Sequence, residues 1–523
     1  MRNSDGWPAK AKTVVIIGII LALSGIANAR EWAIVGPRAL GMGGAHVAVS
    51  NDSTASYWNP AAFGFFGAAQ KKSPADPDRE WSSTLSGGIS ASVHEGLGKE
   101  LDKILDYDYD ALDNGQISAA NVDDYIEIVN SLKTFNENNK RAVKGTIDGQ
   151  LGIQLGNFGI AGILLGEISA KGKIDTVNIV PETGIEGGNI ITYLSEGENL
   201  NSGIDIPAEQ AGNRYWGAAD ATRQNLIASI EGIGGQWDDI NPTTNNTYAY
   251  DFVDAVDYGL DQVKDAGGTI PAEITDHVET VADIAESAAT GGSLEDNESV
   301  ILFKGLMVTE VPITYGQALD ETCAIGGNIK YMKGRTYNAA IKIFDTKYDD
   351  ALDKAQDDYT ESSAFGLDLG ILYRIDPDIK LGFVGRNLNS PEFDMKPISQ
   401  SDQSSIEEKP QIRAGIAYTL FSFITLAADY DITENDTTVS GYQSKNMSLG
   451  SEISLWKMLA LRFGGYKNIA EDDIGWVYTG GIGLNLFGVS LDGGIAIATD
   501  TETIDEKDIP KEMRGELALS MLF

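Results

Sequence analysis

The chain has 523 residues, and its 39 lysines and arginines stand against 77 aspartates and glutamates, which leaves a formal net charge of −38. This balance argues against nucleic acid as a partner, because binding phosphates requires a basic surface. The single cysteine, Cys323, excludes a disulfide scaffold, a cysteine-ligated zinc site and a dithiol redox pair, and three histidines leave little for a metal site or a catalytic triad. No nucleophile–base–acid set is recognisable, so we expect neither an enzyme nor a cofactor.

The chain begins with the three parts of an export signal. Lys10 and Lys12 precede the apolar run from Val14 to Leu23, and small residues then end in Ala27-Asn28-Ala29. The run is too short to span a bilayer, for which about 20 apolar residues are needed. This pattern predicts a cleaved signal peptide over residues 1–29. No cysteine follows the cleavage site, which excludes a lipoprotein anchor.

Short stretches of alternating apolar and polar residues fill much of the mature chain. Such a period of two predicts strands with two different faces. Segments of this length match the ~9–11 residues of a tilted strand that spans a membrane. We predict fourteen strands over residues 80–94, 146–156, 158–170, 307–318, 322–334, 363–374, 379–388, 410–419, 422–432, 444–454, 457–467, 474–485, 488–498 and 512–523.

The links between these strands alternate strictly between short and long. The tight turns lie at residues 156–157, 319–321, 375–378, 421, 456 and 487–488, whereas the long links run over 95–145, 171–306, 335–362, 389–409, 433–443, 468–473 and 499–511. An even number of strands with this alternation is typical of outer-membrane barrels of Gram-negative bacteria. We therefore predict an all-β transmembrane barrel over residues 76–523, located in the cell outer membrane, with both mature termini on the periplasmic side.

The predicted inner face carries charges and glycines. A wet lumen tolerates charges that would be costly in the core of a soluble sandwich. Small inward residues leave room for a plug or a channel. The inward glycines are Gly152, Gly326, Gly366, Gly370, Gly382, Gly415, Gly450, Gly464, Gly481 and Gly483.

Two long links, 95–145 and 171–306, are predicted to form α-helical extracellular inserts. Amphipathic patterns lie at residues 97–105, 122–132, 252–263 and 272–285. The second insert holds 24 acidic and 6 basic residues. Such charge indicates either a solvated surface or the capture of cations. Asp110 and Asn114 are weak calcium candidates, because the expected glutamate at the end of the loop is missing.

The first mature segment contains the most specific motif. Arg38 is followed by Gly41-Met42-Gly43-Gly44-Ala45, then by Asp52 and by Asn59-Pro60-Ala61. This pattern resembles the amino-terminal segment of the FadL-like outer-membrane transport proteins, and it is especially similar to the branches labelled TraF-like and PorV-like. The resemblance implies a fourteen-stranded barrel whose amino-terminal segment, here residues 30–75, folds into the lumen as a plug. The TraF label is also used for an unrelated thioredoxin-like family, which the absence of a dithiol excludes.

Two sets of residues in this segment are candidates for function. Plug and gating candidates are Arg38, Gly41, Gly43, Gly44, Asp52, Asn59 and Pro60, and candidates for lining a ligand site are Met42, Trp58, Phe63, Phe65 and Phe66. The alternative is that these residues only fold and seat the plug, because turn residues usually act on the backbone. At the other terminus, Phe523 resembles the signal read by the outer-membrane insertion machinery.

Two functions remain open at this point. The first is a plugged channel for small, hydrophobic solutes, and the second is a non-transporting scaffold or docking protein linked to secretion, conjugation or surface attachment. Both rest on resemblance of fold, which does not by itself define function. An apolar pocket near the plug would favour the channel, whereas a lumen closed by ion pairs would favour the scaffold. The expected partners are outer-membrane lipid, the insertion machinery and a hydrophobic solute.

Overall fold

Fourteen antiparallel strands close into a barrel in the computed structural model, with every strand paired to its neighbours in the chain and the last paired to the first. The structure describes residues 29–66, 81–97, 140–175, 177–178, 215–216, 220–232, 237–242, 244–265, 296–342, 358–456, 458–504 and 507–522. The predictions for the signal peptide, for Asp110 and Asn114, for helices 97–105, 122–132 and 272–285, and for Phe523 lie outside these residues.

All fourteen predicted strands are confirmed. In chain order they are β1 Trp81–His94, β2 Ala142–Leu155, β3 Phe158–Lys173, β4 Val300–Ala318, β5 Cys323–Lys342, β6 Tyr359–Arg374, β7 Ile379–Arg386, β8 Gln411–Leu420, β9 Ile424–Asp431, β10 Asn446–Leu455, β11 Leu459–Asn468, β12 Val477–Leu486, β13 Val489–Ala498 and β14 Glu512–Leu522.

Several strands extend further than their hydropathy pattern predicts. The second begins at Ala142, the third ends at Lys173 and the fourth begins at Val300, so each reaches into a link predicted to be an insert. The backbone ladder pairs residues of any polarity, and the sequence pattern fades once one face no longer meets lipid. Hydropathy therefore marks the part of each strand that lies in the membrane and misses the part that rises above it.

The two faces of the wall differ as the alternation predicts. Large apolar side chains are exposed on the outside, such as Ile89, Ile329, Phe365, Phe463 and Leu517, each more than half exposed. An apolar surface of this extent would promote aggregation in water, but it is the normal face of a barrel toward lipid. The wall is therefore a membrane-spanning barrel of the outer-membrane type. Among the described residues, no helix has the length and apolarity to cross a membrane.

The short turns gather at one end of the barrel and the long links at the other. We call these the short-turn end and the long-loop end, which in barrels of this type face the periplasm and the outside. Three small sheets lie in the long links: Glu392–Asp394 pairs with Ser405–Glu407, Thr501–Ile504 pairs with Lys507–Pro510, and Asn435–Asp436 pairs with both Gln443–Ser444 and Ala29–Arg30.

Two helices are described in the insert between β3 and β4. Four helices are labelled in chain order: α1 Pro37–Gly41, α2 Ala55–Trp58, α3 Ala221–Gly232 and α4 Tyr248–Asp265. The fourth confirms the helix predicted at 252–263, whereas the third was not predicted. The two pack together through Leu226, Ile227 and Val253.

Residues 30–66, which we call the luminal segment, run through the barrel from end to end. Arg30 and Glu31 contact Glu408 and Lys144 at the long-loop end, whereas Phe63 and Gly64 contact β3 and β4 near the short-turn end. The prediction that both mature termini lie on the periplasmic side is therefore wrong for the amino terminus. Arg30 and Glu31 form their ion pairs at the long-loop end of the lumen, which holds the start of the segment there.

Candidate functional site

The luminal segment fits inside the barrel because glycines on the inner face of the wall leave space for it. Gly326, Gly370 and Gly450 face Pro60, Asn59 and Met42, and a Cβ on any of these glycines would overlap the atoms of the segment. Gly382 and Gly464 face it in the same way, whereas a Cβ at Gly152, Gly415 or Gly481 would lie 3.1–3.2 Å from atoms of the segment. The prediction that inward glycines leave room for a plug is confirmed for these positions.

The turn at Gly41–Gly44 needs its glycines for contact and for conformation. Gly43 has φ +64°, and a Cβ there would lie 2.5 Å from the carbonyl oxygens of Leu449 and Gly465. Gly44 has φ +82° and packs beside Ile34. Such backbone angles are unfavourable for residues with side chains. The Gly43 N–H also donates to the Thr479 hydroxyl at 3.0 Å, so the turn is bonded to the wall as well as packed on it.

Arg38 joins α1 to the wall through a bidentate ion pair. Its Nε and Nη2 atoms each donate to Glu452 at 2.9 Å, and its Nη1 donates to Asn51 at 3.0 Å. Burial alone would lower the pKa of the Arg38 guanidinium, but the Glu452 carboxylate raises it well above its ordinary value. Paired hydrogen bonds of this kind are both stronger and more directional than a single one.

A second carboxylate holds the middle of the segment. Asp429 Oδ2 accepts the backbone N–H groups of His46 and Val47 at 2.8 and 2.9 Å. The His46 ring packs edge-on to Trp58, with ring centroids 5.4 Å apart. Burial, with the nearby charge of Arg38, lowers the pKa of His46 to about 3. The ring is therefore neutral at physiological pH.

Asp52 and Asn59 shape the rest of the segment. Asp52 Oδ1 accepts from the Thr54 N–H at 2.9 Å, which forms the turn before α2. Asn59 Oδ1 caps the short 3₁₀ helix Pro60–Phe65 by accepting from Ala61 N–H at 3.1 Å. The Asn59 amide also donates to the carbonyls of Val47 and Ile371. One fully buried side chain thus links two parts of the segment and the wall.

The aromatic candidates lie in two places. Trp58 forms a cluster with Trp32 and Tyr57, and the guanidinium groups of Arg386 and Arg413 lie 4.0 Å from the Tyr57 ring centroid and 4.6 Å from that of Trp32. Cation–π contacts of this kind stabilise buried cations. Met42, Phe63 and Phe65 instead pack between the segment and the wall, where the Phe65 ring centroid lies 3.7 Å from the Arg374 guanidinium. Phe66 is buried at the end of the segment.

A cavity of about 780 Å³ opens at the short-turn end below the segment. Arg38, His46, Asn51 and Asp52 line it from the segment, and Glu452, Arg462, Asp492 and Lys380 line it from the wall. None of the five predicted ligand-lining residues lines this cavity, which we call the inner cavity. The wall residues Glu452 and Asp429, which anchor the segment, and the aromatic Trp32 were not among the predicted site residues. Only the alternation of polar residues in their strands pointed to the two acids.

Ion pairs join neighbouring strands around the segment. Lys330 lies 3.1 Å from both Glu310 and Asp368, and Arg386 lies 2.9 Å from Glu310. Further around the barrel Arg413 binds Asp431, Arg462 binds Glu452 and Asp492, and Arg514 binds Asp148 and Glu516. Most of these charges are paired within the wall itself. Among the described residues, no group of three or more histidines, cysteines or acids is arranged to hold a metal ion.

Fold and site together define a membrane-spanning fourteen-stranded barrel whose lumen is occupied by its own amino-terminal segment. A family model described as "F plasmid transfer operon, TraF, protein" matches residues 56–431, and the chain belongs to this family. No curated protein sequence gives a significant match.

Solved structures of similar fold share little sequence with this chain. The Ralstonia pickettii toluene transporter TbuX has a TM-score of 0.43 at 10% identity, over 93% of this chain and 98% of that one. The Pseudomonas putida toluene transporter TodX has a TM-score of 0.41 at 10% identity, over 93% and 98%. A Pseudomonas aeruginosa FadL homologue has a TM-score of 0.41 at 8% identity, over 96% and 99%.

Proposed function

We propose that the chain is a channel of the bacterial outer membrane, closed by its luminal segment, through which small hydrophobic solutes pass when the segment moves. The closed, even-numbered barrel with its apolar exterior supports the location, and so does the signal-like start of the chain. Lipid contacts the outer face. The insertion machinery would recognise the last strand and Phe523 during assembly.

The observation that carries this proposal is the position of the cavities. The inner cavity opens at the short-turn end, and a second cavity of about 550 Å³ lies at the long-loop end beside β3 and β4. The luminal segment lies between the two. A cavity at each end of the barrel, with the segment filling the lumen between them, supports a gated path.

The proposed roles of the site residues follow from their contacts. Arg38, Asp52, Asn59, Pro60 and the glycines at positions 41, 43 and 44 hold the closure in place. Trp58, with Trp32 and Tyr57, presents an aromatic surface in the centre of the lumen, which would line the path of an apolar solute once the segment shifts. Met42, Phe63, Phe65 and Phe66 would extend that surface toward the short-turn end.

A scaffold or docking function is the second candidate, and the charge in the lumen favours it. Ion pairs such as Lys330–Glu310 and Arg413–Asp431 close the inner face in the way expected of a barrel that transports nothing. The helix pair α3–α4 outside the barrel has its own apolar core, which suits a docking module. The two functions differ in whether removal of the luminal segment opens a path.

Deletion of residues 30–66, with the signal peptide kept, tests the proposal. The wall keeps its strand pairing and most of its ion pairs, so we expect the deleted protein to insert and to conduct ions in planar bilayers, with a preference for cations because of its negative charge. A matched control replaces residues 179–295 with a short Gly-Ser linker, which leaves the lumen filled and should stay closed. A deleted barrel that inserts but remains closed would contradict the gating role and favour the scaffold. Uptake of a labelled apolar solute by intact cells then tests the class of solute.

A further inference from the structure

The link between β7 and β8 folds into the barrel at the long-loop end, and we call its residues 389–409 the outer lid. The Phe393 side chain of the lid is fully buried in a cluster with residues of β4 and β5. These wall residues share the face of Glu310 and Lys330, whose ion pair lies inside the barrel. A Cβ on Gly334 would overlap the Phe393 ring, so the wall has a glycine where this ring packs. The cluster comprises Leu306, Val308, Met332 and Phe393.

Hydrogen bonds from the wall hold the backbone of the lid. The Thr336 hydroxyl donates to the Asp394 carbonyl at 2.7 Å, and the Asn338 amide donates to the Lys396 carbonyl at 2.9 Å. The Asp394 N–H in turn donates to the Ser362 hydroxyl at 3.0 Å. These partners belong to β5 and β6, so the lid is attached to the same side of the lumen that receives Phe393.

The backbone is strained where the lid begins. Asn387 and Ser390 have φ angles of +53° and +51°, in the left-handed region that residues with side chains rarely adopt. Strained angles of this kind persist only where surrounding contacts hold them, and they are common in segments that switch between conformations. The closed position of the lid therefore depends on its contacts, and the loss of a contact favours its release.

Glu408 joins the end of the lid to the luminal segment. Its Oε2 atom accepts from the Asn387 amide at 2.9 Å, and its N–H donates to the Pro391 carbonyl at 2.7 Å, so it holds the strained start of the lid. Its Oε1 atom lies 3.1 Å from Nε of Arg30, the first residue of the luminal segment, and both side chains are buried. Removal of one partner from a buried ion pair leaves an uncompensated charge, which is strongly destabilising.

We propose that the outer lid and the luminal segment form a coupled double closure, in which the Arg30–Glu408 ion pair makes release of either one favour release of the other. Departure of Arg30 leaves Glu408 without this cation, which weakens the contacts that hold Asn387 in its strained conformation. Coupling between two elements is reciprocal, so release of the lid also favours release of the segment. The inference rests on the proposed channel for its purpose, but the coupling is a property of the closed barrel itself.

Labelling of a cysteine in the lid tests the coupling. Met395 is buried in the closed lid, so Met395→Cys should react with a water-soluble maleimide only when the lid opens. The full protein is studied in lipid nanodiscs with its single native cysteine replaced, Cys323→Ala, and heat modification shows that each variant has assembled. We expect Arg30→Gln to raise the labelling rate by about fivefold or more, which is the lower end of typical coupling between sites.

Glu31→Gln is the matched control for this experiment. Glu31 is the neighbour of Arg30 in the chain, and its ion pair is with Lys144 on β2. The control therefore removes one charge from the start of the segment and keeps the pair between Arg30 and Glu408. It should raise the labelling rate of the lid cysteine much less than Arg30→Gln does.

The reciprocal experiment places the cysteine in the luminal segment. Ile34 is buried near the start of the segment, so Ile34→Cys reports the release of this part. Phe393→Ala removes the buried ring of the lid without changing any charge, and we expect it to raise labelling of the segment cysteine. In an Arg30→Gln background the same lid variant should have little further effect, because the connection is already lost. Phe421→Ala, in an exposed turn at the short-turn end, should leave labelling unchanged.

Three outcomes would overturn the coupling. They are unchanged labelling of the lid cysteine in Arg30→Gln, an equal increase in Glu31→Gln, and an undiminished effect of Phe393→Ala on the segment cysteine in the Arg30→Gln background. Each of them concerns the connection between lid and segment, whether or not a solute passes.

Deletion of residues 30–66 separates this inference from the proposed channel, because the deletion also removes Arg30. A deleted barrel that conducts nothing but labels rapidly at Met395→Cys would refute the channel and keep the coupling. A deleted barrel that conducts while the lid cysteine stays protected would keep the channel and refute the coupling.

Discussion

Charged side chains fasten the start of the luminal segment, whereas close packing on glycines fastens its end. At the long-loop end Arg30 lies 3.1 Å from Glu408, Glu31 binds Lys144, and the Ile34 carbonyl accepts from Arg514. At the short-turn end Pro60, Phe63 and Gly64 sit against Gly326, Gly159 and Gly316 with no space for a Cβ. Ion pairs respond to pH and salt, but steric contact does not. We therefore expect the start of the segment to release first and its end to act as the fixed hinge.

A side chain added at a wall glycine that contacts the luminal segment should disturb this arrangement most severely. Gly326→Val places a side chain against the Pro60 carbonyl and the Ala61 nitrogen, which are backbone atoms and cannot rotate away. Overpacking of this kind costs about 1–3 kcal/mol. We expect a lower temperature of heat modification and long open events in single-channel recordings. Gly162→Val is the matched control, because a Cβ at that strand glycine meets no atom within 4 Å. Equal effects of the two substitutions would show that close contact at Gly326 does not hold the segment in place.

Acidification should loosen the middle of the segment through His46. Its pKa is about 3 in the folded protein, against 6.5 for an ordinary histidine, so the unfolded or released state binds the proton more readily. The closed state then loses stability as pH falls from about 6.5 to 3, by up to about 1.4 kcal/mol per pH unit. Recording of channel opening between pH 7 and pH 4 measures this loss of stability of the closed state.

His46→Gln should remove this part of the pH dependence. His94→Gln is the comparison variant, because His94 binds Asp473 in a long link and lies beside Glu31 at the start of the segment, not in its middle. It should keep the acid-induced opening. If channel opening still increases as pH falls in His46→Gln, the titrating group is not His46.

Loss of one charge at the long-loop end should have the smallest effect. Burial alone would raise the pKa of Glu31, but Lys144 lowers it below its ordinary value, so the ion pair stabilises closure above that pKa and is lost as pH falls through it. Because Glu31 is one-quarter exposed, Glu31→Gln should cost no more than about 1 kcal/mol. We expect brief openings that increase little further with added salt, whereas added salt should increase openings in the wild type.

Glu361→Gln provides the control for this prediction. Glu361 pairs with Lys333 and Arg335 on the outer surface, so its loss removes a similar charge without touching the lumen. It should leave conductance unchanged. Long open events in Glu31→Gln as large as those of Gly326→Val would show that the two ends of the segment do not differ in the way proposed.

The unpredicted helix α3 shows where local pattern fails. Its sequence, ATRQNLIASIEG, is only weakly amphipathic, so it lacks the periodic signal that predicted α4. Leu226, Ile227 and Ile230 are nevertheless buried, because Trp237 and Val253 pack on them. Packing against α4 and Trp237 therefore stabilises α3, although its own sequence pattern does not predict a helix.

The barrel wall could be predicted from the sequence because the patterns that specify its strands and turns are local in the chain. Alternation along each strand distinguishes the lipid face from the inner face, and links of alternating length determine an up-and-down order. Fourteen strands, their turns and the inward glycines follow from these two signals. The plug motif likewise indicated that the first mature residues enter the lumen.

The attachments of the luminal segment were decided only by tertiary structure. Arg38 and Glu452 are 414 residues apart, and His46 and Asp429 are 383 apart. The alternation shows that Glu452 and Asp429 face inward, but a local period carries no information about which distant group each will meet. Those pairings and the far-end position of Arg30 exist only because closure of the barrel brings distant strands around one segment.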